Sequence, residues 1–517
     1  MTARMSTLFA VIALVLMYAG SASAAPDASV LVIRNVTVID VDAAIARPHH
    51  TVVVRDGRIE RVEPEKRGAA TPTGVVIDGT GKFLIPGLVD GHAHLATQRV
   101  IDGLIARGDF TLTSGRRRLG AAHSFDRRLL RAFLLNGVTT VVSFGTLTPG
   151  GGDELELRTL VDRNEIIGPR LLVGDLIDGA DADQDRGTAS TIESPRTAED
   201  GRRRVTRAKQ QGYDFIKPYT FLNRETFNAV VRTAHELGLR AVGHLPELGC
   251  ANCATPDDAF VARLDGIAHL EELGTYGLPG LQLSAAIELA NRVKAAGQAV
   301  VTTLVTSRNI VQMYASRCVP LPPPADLRYV DSFLLSRWLG PNNRYLRDEF
   351  RDQPNAALIP PAYDFQRVIA RELWKRGVPL VVGTDATIPG VAYGSSVPDE
   401  MIELNKIGLP PGDVLKSATQ TAFRLLGRPG ETGTVAVGQR ADLVLLRANP
   451  LDYVGNVRQI AGVVVNGRWY AIERLRRLAD SDARYYTALD RQIGLHRPTD
   501  ACARPEMTSP KRAPTGR

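Results

Sequence analysis

The central part of the sequence, residues 84–427, alternates short apolar segments with longer amphipathic segments of helical period. The apolar segments are almost continuous hydrophobic runs, which is typical of strands that a parallel sheet buries on both faces. Eight such β/α units over roughly 340 residues predict a (β/α)8 TIM barrel, an α/β fold, with insertions. The predicted strands are 84–89, 138–143, 170–173, 214–218, 239–244, 265–269, 299–304 and 379–385, and the predicted helices are 125–136, 155–164, 196–211, 224–237, 284–296, 363–376 and 410–426.

The largest insertion follows the seventh predicted strand and runs from residue 306 to about residue 361. It emerges on the face where barrel enzymes carry their active sites. A segment of this length at that position is either a lid or specificity element or a surface excursion without a role. The sequence leaves both interpretations open.

Short strand-like segments separated by turn signals flank the barrel on both sides. Because the two sets resemble each other, both chain ends are predicted to build one small β-sandwich domain from residues 25–83 and 428–475, beside a barrel domain of residues 84–427. Residues 476–517 form a C-terminal extension, with a proline-rich tail from about residue 496 that is predicted to be disordered. The strand-like segments are 30–33, 36–39, 51–54, 75–77, 433–438, 441–446 and 463–467.

The first 24 residues have the three parts of a secretory signal peptide. Arg4 supplies the positive charge, residues 8–19 are apolar, and residues 22–24 form a small-x-small cleavage site. An apolar run of about 12 residues falls short of the roughly 20 that a spanning helix needs, so no stable membrane insertion is expected. We therefore expect an exported protein, periplasmic or extracellular.

Charge and cysteine content limit the classes of partner and site. The net charge of +7 comes from lysines and arginines scattered along the chain, so no nucleic-acid partner is predicted. Four cysteines in an exported chain permit disulfides. Cys250 and Cys253 are predicted to bond to each other, or one of them to bond to Cys318, whereas Cys502 lies far from all three.

Six residues able to bind or bridge metal ions fall on the ends of the predicted strands. His92 and His94 stand at positions i and i+2 of the first strand, so both imidazoles point to the same face. A single histidine at such a position is more often structural than a ligand. The carboxyl ends of barrel strands, however, meet at one face and gather the catalytic groups there. The six together, His92, His94, Lys217, His244, His269 and Asp385, predict a metal site.

These motifs make the chain resemble the amidohydrolase superfamily of metal-dependent hydrolases, over nearly all of the sequence from residue 36 to about residue 470. Within it, the order of the motifs looks most like that of the imidazolonepropionase-like and Xaa-Pro-dipeptidase-like members. The resemblance rests on residues 86–94 (PGLVDGHAH), 215–217 (FIK), 243–244 (GH), 267–269 (IAH), 383–385 (GTD), 418–427 (ATQTAFRLLG) and 438–445 (GQRADLVL).

The resemblance implies a site for two divalent metal ions, which are expected to be Zn²⁺, with Mn²⁺, Co²⁺ or Ni²⁺ as alternatives. His92, His94 and Asp385 would hold the more buried ion, and His244 and His269 would hold the more exposed one. Lys217, carboxylated by CO₂, would bridge the two. A hydroxide shared by both ions would then attack the substrate, with Asp385 as general base and afterwards general acid.

For the substrate, the resemblance implies a small molecule with an amide bond, namely a dipeptide or an N-acyl amino acid. Lactones, esters and organophosphates suit the same site, so the ligand set leaves them as alternatives, and a non-catalytic binding protein is a third. Tyr219 and Arg308 are candidate substrate contacts. Residues 397–401 (VPDEM) depart from a His and Glu that many relatives carry after the eighth strand, so no contact is carried over there. The sequence also leaves a homo-oligomer open.

Overall fold

Two β-sheets organise the fold. The computed structural model describes residues 30–66, 74–96, 124–145, 153–179, 194–246, 252–275, 281–340 and 343–498. In chain order the strands are β1 (Val30–Asp40), β2 (Ile45–Arg55), β3 (Arg58–Pro64), β4 (Val75–Asp78), β5 (Phe83–Pro86), β6 (Leu88–Ala93), β7 (Val138–Ser143), β8 (Arg170–Ile177), β9 (Phe215–Pro218), β10 (Arg240–Gly243), β11 (Gly266–Ile267), β12 (Ala299–Val301), β13 (Leu380–Val381), β14 (Leu443–Leu446), β15 (Ile460–Val465) and β16 (Arg468–Ala471).

Helices lie between the strands and after them. Short 3₁₀ turns occur at Arg344–Leu346, Ala356–Leu358 and Val454–Arg458. The α-helices are α1 (Ser124–Leu135), α2 (Asp153–Asp162), α3 (Ala198–Gln211), α4 (Arg224–Glu236), α5 (Pro256–Val261), α6 (Glu271–Thr275), α7 (Leu283–Ala296), α8 (Leu304–Ser316), α9 (Pro324–Leu327), α10 (Ser332–Leu339), α11 (Asp348–Arg351), α12 (Ile359–Lys375), α13 (Ser396–Lys406), α14 (Pro411–Ser417), α15 (Thr421–Leu425) and α16 (Ile472–Ile493).

Strands β6 to β13 form the predicted barrel. They pair in chain order and in parallel. Backbone hydrogen bonds connect the last strand to the first, since the Gly91 N–H donates to the Val382 carbonyl at 2.8 Å and the Asp385 N–H donates to the His92 carbonyl at 2.8 Å. The barrel interior is packed with apolar side chains, among them Val142, Phe144, Leu172, Phe215, Val242, Val301 and Val381.

The second sheet contains strands from both ends of the described chain, as predicted. Its order is β16-β15-β14-β5-β1-β2-β3, and β4 also pairs with β1. Side chains of β1, β2, β14 and β15 share a hydrophobic cluster that includes Ile33, Val52, Leu443 and Val464. The strand predicted at 433–438 is wrong, since this segment forms bends and turns.

The first predicted barrel strand is divided between the two sheets. Its first part, β5, pairs with β1 and β14, whereas β6 pairs with β7. The division falls at Pro86 and Gly87, because proline has no N–H for a ladder and Gly87 passes close to the barrel. A Cβ at Gly87 would lie 1.8 Å from the Thr139 hydroxyl oxygen. The barrel is therefore connected to the second sheet by one continuous segment, β5 to β6.

The helix predicted at 410–426 and the predicted C-terminal extension both differ from the observed structure. The single helix predicted at 410–426 is two helices, α14 and α15, and the carbonyls of Ser417 and Ala418 between them accept hydrogen bonds from Val382 and Val89 in the barrel. The predicted extension begins with the long helix α16, in which Tyr486 is fully buried. The tail beyond residue 498 and the signal peptide lie outside the described residues.

The 306–361 insertion is largely helical, with α8 to α11 and two 3₁₀ turns. It is packed against the body of the protein, since Trp338 is fully buried and its indole N–H donates to the Thr387 carbonyl at 3.3 Å. The Ser332 hydroxyl also donates to the Tyr486 carbonyl of α16 at 3.2 Å. A segment anchored from two sides holds its side chains in fixed positions over the barrel.

The thiols are distributed differently from one of the predicted alternatives. Cys253 is disulfide-bonded, whereas Cys318 is a free thiol just beyond α8. Pairing with Cys318 is therefore wrong, and the bond between Cys253 and Cys250 stays a prediction because residue 250 lies outside the described residues. None of the helices in the described ranges has both the length and the apolar character needed to cross a bilayer.

Candidate active site

The six residues predicted from strand ends converge at one end of the barrel. Each lies at the C-terminal end of a strand or within four residues after it, and the strands concerned are β6, β9, β10, β11 and β13. The rings of His92 and His269 lie 4.4 Å apart and those of His244 and His269 lie 4.7 Å apart, measured between centroids. Lys217 is fully buried in the same region. The register of a parallel barrel therefore brings together residues that are separated by up to 293 positions along the chain.

A glycine and a buried aspartate set the spacing between the first and last strands. A Cβ at Gly383 would lie 2.8 Å from the backbone nitrogen of His92. Only glycine therefore lets the two backbone segments come this close without a shift. The Asp90 carboxylate accepts hydrogen bonds from the Thr384 N–H at 3.0 Å and from its hydroxyl at 2.7 Å. Burial raises the pKa of Asp90 to about 7. The hydrogen bonds between Asp90 and Thr384 fix the backbone from which the neighbouring Asp385 projects.

The first group of donors consists of His92, His94 and Asp385. The two Nε2 atoms lie 3.3 Å apart, and they lie 3.6 and 3.4 Å from Asp385 Oδ1. In a tetrahedral site with metal–ligand bonds of about 2.0–2.1 Å, donor atoms lie about 3.3–3.4 Å apart. The three atoms therefore fit one metal ion without rearrangement.

The other ring nitrogen of each histidine fixes which nitrogen faces the site. His92 Nδ1 lies 3.3 Å from the Ala268 carbonyl oxygen, and His94 Nδ1 lies 2.6 Å from that of Gly145. Since a carbonyl only accepts, each Nδ1 carries the proton and each Nε2 offers a lone pair to the site. His92 also stacks on Phe144, with ring centroids 3.8 Å apart.

A second group of donors consists of His244, His269 and Glu272, whose donor atoms lie within 4.8 Å of one another. Glu272 Oε1 lies 2.8 Å from His244 Nδ1, and Oε2 accepts a hydrogen bond from the Leu245 N–H at 2.7 Å. Glu272 was not predicted from the sequence, although a pair of glutamates opens α6 two residues after His269. His269 also falls within 4.8 Å of the donors of His92 and Asp385, so it stands between the two groups.

A strained threonine orients His269. Thr303 has φ 45° and ψ 31°, a left-handed conformation that is rare for a β-branched residue. Its hydroxyl lies 3.1 Å from His269 Nδ1. The surrounding turn is held by the buried Glu400, which accepts hydrogen bonds from the Thr302 hydroxyl and, at 2.6 Å, from the Val305 N–H. Neither Thr303 nor Glu400 was predicted as part of the site.

Lys217 lies between the histidines and two aromatic rings. Its Nζ is 5.1 Å from the Phe144 ring centroid and 4.9 Å from that of Tyr219. Tyr219 in turn packs edge-on against His244, with centroids 4.4 Å apart. Tyr219, which was predicted from the sequence as a substrate contact, therefore lies beside the candidate ligands.

Burial sets the protonation of the site. It lowers the pKa of His92 and His269 well below the usual value and that of His94 to about 3, and the Lys217 charge adds to this effect. Burial also raises the pKa of Asp385, against the influence of Lys217. Neutral imidazoles are the form that binds metals. The chemistry of these donors is thus suited to a divalent cation.

Arg308, predicted as a substrate contact, is already engaged with other side chains of the protein. Its guanidinium donates to Glu403 Oε1 at 3.0 Å and to Asn309 Oδ1 at 3.2 Å. This paired cation is part of the packing of the insertion against α13, the helix that carries Glu403.

Comparison with known proteins gives one family and several distant relatives. The model of the amidohydrolase family matches residues 83–470. An adenine deaminase of Ruegeria pomeroyi is 38% identical over 65 residues, which are 13% of this chain and 11% of that protein. An imidazolonepropionase of Idiomarina loihiensis is 51% identical over 45 residues, 9% of this chain and 11% of that protein. The chain thus matches only a small part of the length of these relatives.

Solved structures match over most of the chain. A Xaa-Pro dipeptidase with bound methionine in its active site superposes with a TM-score of 0.62 at 18% identity, covering 86% of this chain and 100% of that one. The bottromycin amidohydrolase gives a TM-score of 0.61 at 26% identity, covering 90% of each chain. The likeness to the dipeptidase concerns the fold.

Proposed function

Since the chain belongs to the amidohydrolase family, we propose that it is an exported, metal-dependent hydrolase that cleaves the amide bond of a dipeptide or an N-acyl amino acid. The observation that carries this proposal is the donor cluster at the catalytic end of the barrel. Two histidine nitrogens with lone pairs, one aspartate and one buried lysine meet there. The solved Xaa-Pro dipeptidase and the bottromycin amidohydrolase share this fold, which supports amide or peptide substrates.

We assign His92, His94 and Asp385 to one divalent ion and His244 with His269 to a second, and Zn²⁺ suits this mixture of imidazole and carboxylate donors. Bound metal would polarise the substrate carbonyl and lower the pKa of water. The 3.3–3.6 Å spacing of the first three donor atoms supports the first assignment. The position of His269 between the two donor groups supports two neighbouring ions.

Lys217 is assigned as the bridging ligand after carboxylation. Its neutral amine would add CO₂ to form a carbamate, forming one N–C bond and releasing one proton. The product carries a negative charge and two oxygens, whereas an ammonium would repel cations. The burial of Lys217 near His92, His94, His269 and Asp385 supports this assignment, because moving an ammonium out of water is costly.

Asp385 is assigned as the proton carrier. It would accept the proton of the attacking water and return it to the leaving nitrogen, which must be protonated before it departs. Tyr219 is assigned as a hydrogen-bond donor to the substrate, and its ring contact with His244 supports this assignment. Residues 1–24 supply the expectation of export, since they have the pattern of a cleaved signal peptide.

Metal analysis followed by substrate screening tests this function. The purified protein should contain a divalent metal and hydrolyse members of a library of dipeptides and N-acyl amino acids. Lys217→Ala and Asp385→Asn should each lower kcat by a factor of about 100 or more. His235→Ala is a suitable control, because His235 pairs with Asp265 at 2.8 Å on the helical layer.

The outcomes separate the alternatives. Metal-free protein, or full activity in both variants, would refute the site. Turnover of lactones, esters or organophosphates in preference to amides would keep the metal site and replace the substrate class. An intact Met1 in mass spectrometry of the exported fraction would refute processing at residue 24.

A further inference from the structure

We propose that Arg344 determines specificity by binding a free carboxylate of the substrate, so that this hydrolase requires an anionic, carboxylate-terminated amide. The inference rests on the proposed function and names the substrate class more narrowly. Arg344 lies in the 306–361 insertion, in the 3₁₀ turn Arg344–Leu346. It replaces Arg308 as the basic residue of this insertion that faces the site.

The turn that carries Arg344 is held rigidly. The buried Asn343 accepts a hydrogen bond from the Tyr345 N–H at 3.1 Å, and its amide donates to the Trp338 carbonyl at 2.8 Å. Trp338 is itself bonded to the Thr387 carbonyl, two residues after Asp385. The chain of contacts thus runs from the loop that carries the candidate ligand to the turn that carries the guanidinium.

The contacts of Arg344 connect its guanidinium with residues that surround the donor cluster. Its Nη2 donates to the Tyr345 hydroxyl at 3.1 Å, and its Cζ lies 4.9 Å from the Tyr345 ring centroid. The pKa of Arg344 is raised by Tyr345 and further by Glu271 and Tyr219, which lie close enough to interact with its charge. Burial raises the pKa of Tyr345, and the negative charge of Asp385 raises it further. Glu271 follows His269 by two residues and Tyr219 follows Lys217 by two residues, so Arg344 lies near two of the strand ends that carry candidate ligands.

Arg344 is also accessible to a ligand. It is solvent-exposed, and among the described residues it forms no ion pair and makes one hydrogen bond, to Tyr345. Other arginines of the insertion are already engaged: Arg308 with Glu403, Arg317 with Asp348, Arg328 with Asp480, and Arg351 with the Tyr314 carbonyl.

The chemistry of the group selects the ligand. A guanidinium stays charged at every physiological pH and offers parallel N–H donors that match the two oxygens of a carboxylate. A substrate that reaches from the donor cluster to Arg344 would carry its scissile carbonyl and its carboxylate at opposite ends of one small molecule. A dipeptide or an N-acyl amino acid with a free C-terminus has this arrangement.

Matched substrates test the inference. N-acetyl amino acids and dipeptides with a free C-terminus are compared with the same compounds as C-terminal amides, and hydrolysis is followed by mass spectrometry. We expect the wild type to prefer the acids by about 100-fold in kcat/KM. Arg344→Met should remove most of this preference, mainly through KM, and Arg344→Lys should keep part of it because the charge remains without the planar fork.

Arg317→Met is the control, since it removes an exposed ion pair from the same insertion. It should leave the preference unchanged. Equal hydrolysis of acids and amides by the wild type, or an equal loss on both substrates in Arg344→Met, would overturn the inference while leaving the hydrolase function intact.

Binding measurements decide the question even without turnover. Calorimetry with N-acetyl amino acids and their amides should show tighter binding of the acids to the wild type but not to Arg344→Met. If the wild type cleaves no amide at all, the proposed function fails, and this comparison still tests whether Arg344 binds a carboxylate.

Discussion

Thr303 connects backbone strain to the candidate metal site. Holding a β-branched residue in the left-handed region costs about 1–3 kcal/mol, and such conformations persist where the surroundings over-determine them. Here the surroundings are Glu400 and the turn that it binds. The strained conformation holds the Thr303 hydroxyl 3.1 Å from His269 Nδ1. The other ring nitrogen of His269 is then left to face the site.

Thr303→Val tests this role, because valine keeps the branched shape and loses only the hydroxyl. We expect the variant to bind Zn²⁺ about 10-fold or more weakly, since partners of this kind orient a ligating histidine. Competition with a chromogenic chelator measures the affinity. Thr303→Ser keeps the hydroxyl and should stay close to the wild type. A valine variant that binds Zn²⁺ as tightly as the wild type would contradict the role.

The sequence identified those site residues whose positions follow from strand register alone. His92 and His244 end apolar strands, and the geometry of the barrel brings such ends together. Glu272 and Thr303 escaped prediction because their roles depend on contacts across neighbouring β/α loops, which no local pattern records. Arg344 escaped for the same reason, since only the packing of the insertion determines which of its arginines faces the site.

At the scale of elements, periodicity predicted the helices well and the ends of strands less well. The helix predicted at 284–296 is observed as α7, Leu283–Ala296, because its amphipathic pattern is long and clear. The strand predicted at 84–89 is instead divided at Gly87, where an apolar run passes from one sheet into another without any change in hydrophobicity. The long helix α16 was not predicted, although its buried residues recur at helical intervals of three and four positions, namely 475, 479, 482, 486 and 489.

Glu400 joins helix α13 to the turn before α8, and its titration should appear in the stability of the protein. Burial raises its pKa from 4.5 to about 7, although the hydrogen bonds from Thr302 and Val305 oppose this. The folded state therefore binds more protons than the unfolded state between these two values, and the stabilisation is lost as the pH rises through about 7.

Glu400→Gln should remove that dependence. Between pH 5 and pH 8 the unfolding temperature of the wild type should fall relative to that of the variant, which thermal scans followed by circular dichroism can measure. Glu403→Gln on the same helix is the control. Burial would raise the pKa of Glu403, but Lys406 and Arg308 outweigh it and hold the pKa below 4.5. The stabilisation from Glu403 is therefore lost only as the pH falls below this range. If the unfolding temperatures of the wild type and Glu400→Gln change with pH in parallel, the role of Glu400 is contradicted.

At the scale of the whole molecule, one buried ion pair joins the barrel to the second sheet. Arg170 opens β8, and its Nη2 lies 3.0 Å from Oδ2 of Asp442, the residue before β14. The side chains are 6% and 1% exposed. Asn466 adds to the contact, since its Oδ1 accepts from Arg170 at 3.1 Å and its N–H donates to Asp442 Oδ1 at 2.9 Å.

Removing one member of this pair should cost far more than removing both. Arg170→Met leaves a buried carboxylate without its cation and should destabilise the protein by about 3–5 kcal/mol, whereas Arg170→Met combined with Asp442→Asn should recover much of that loss. Urea unfolding followed by far-UV circular dichroism measures both. Arg202→Met, which removes a surface pair with Glu199, should cost less than about 1 kcal/mol. If Arg170→Met and Arg202→Met cost the same, the contact between the two sheets does not depend on this pair.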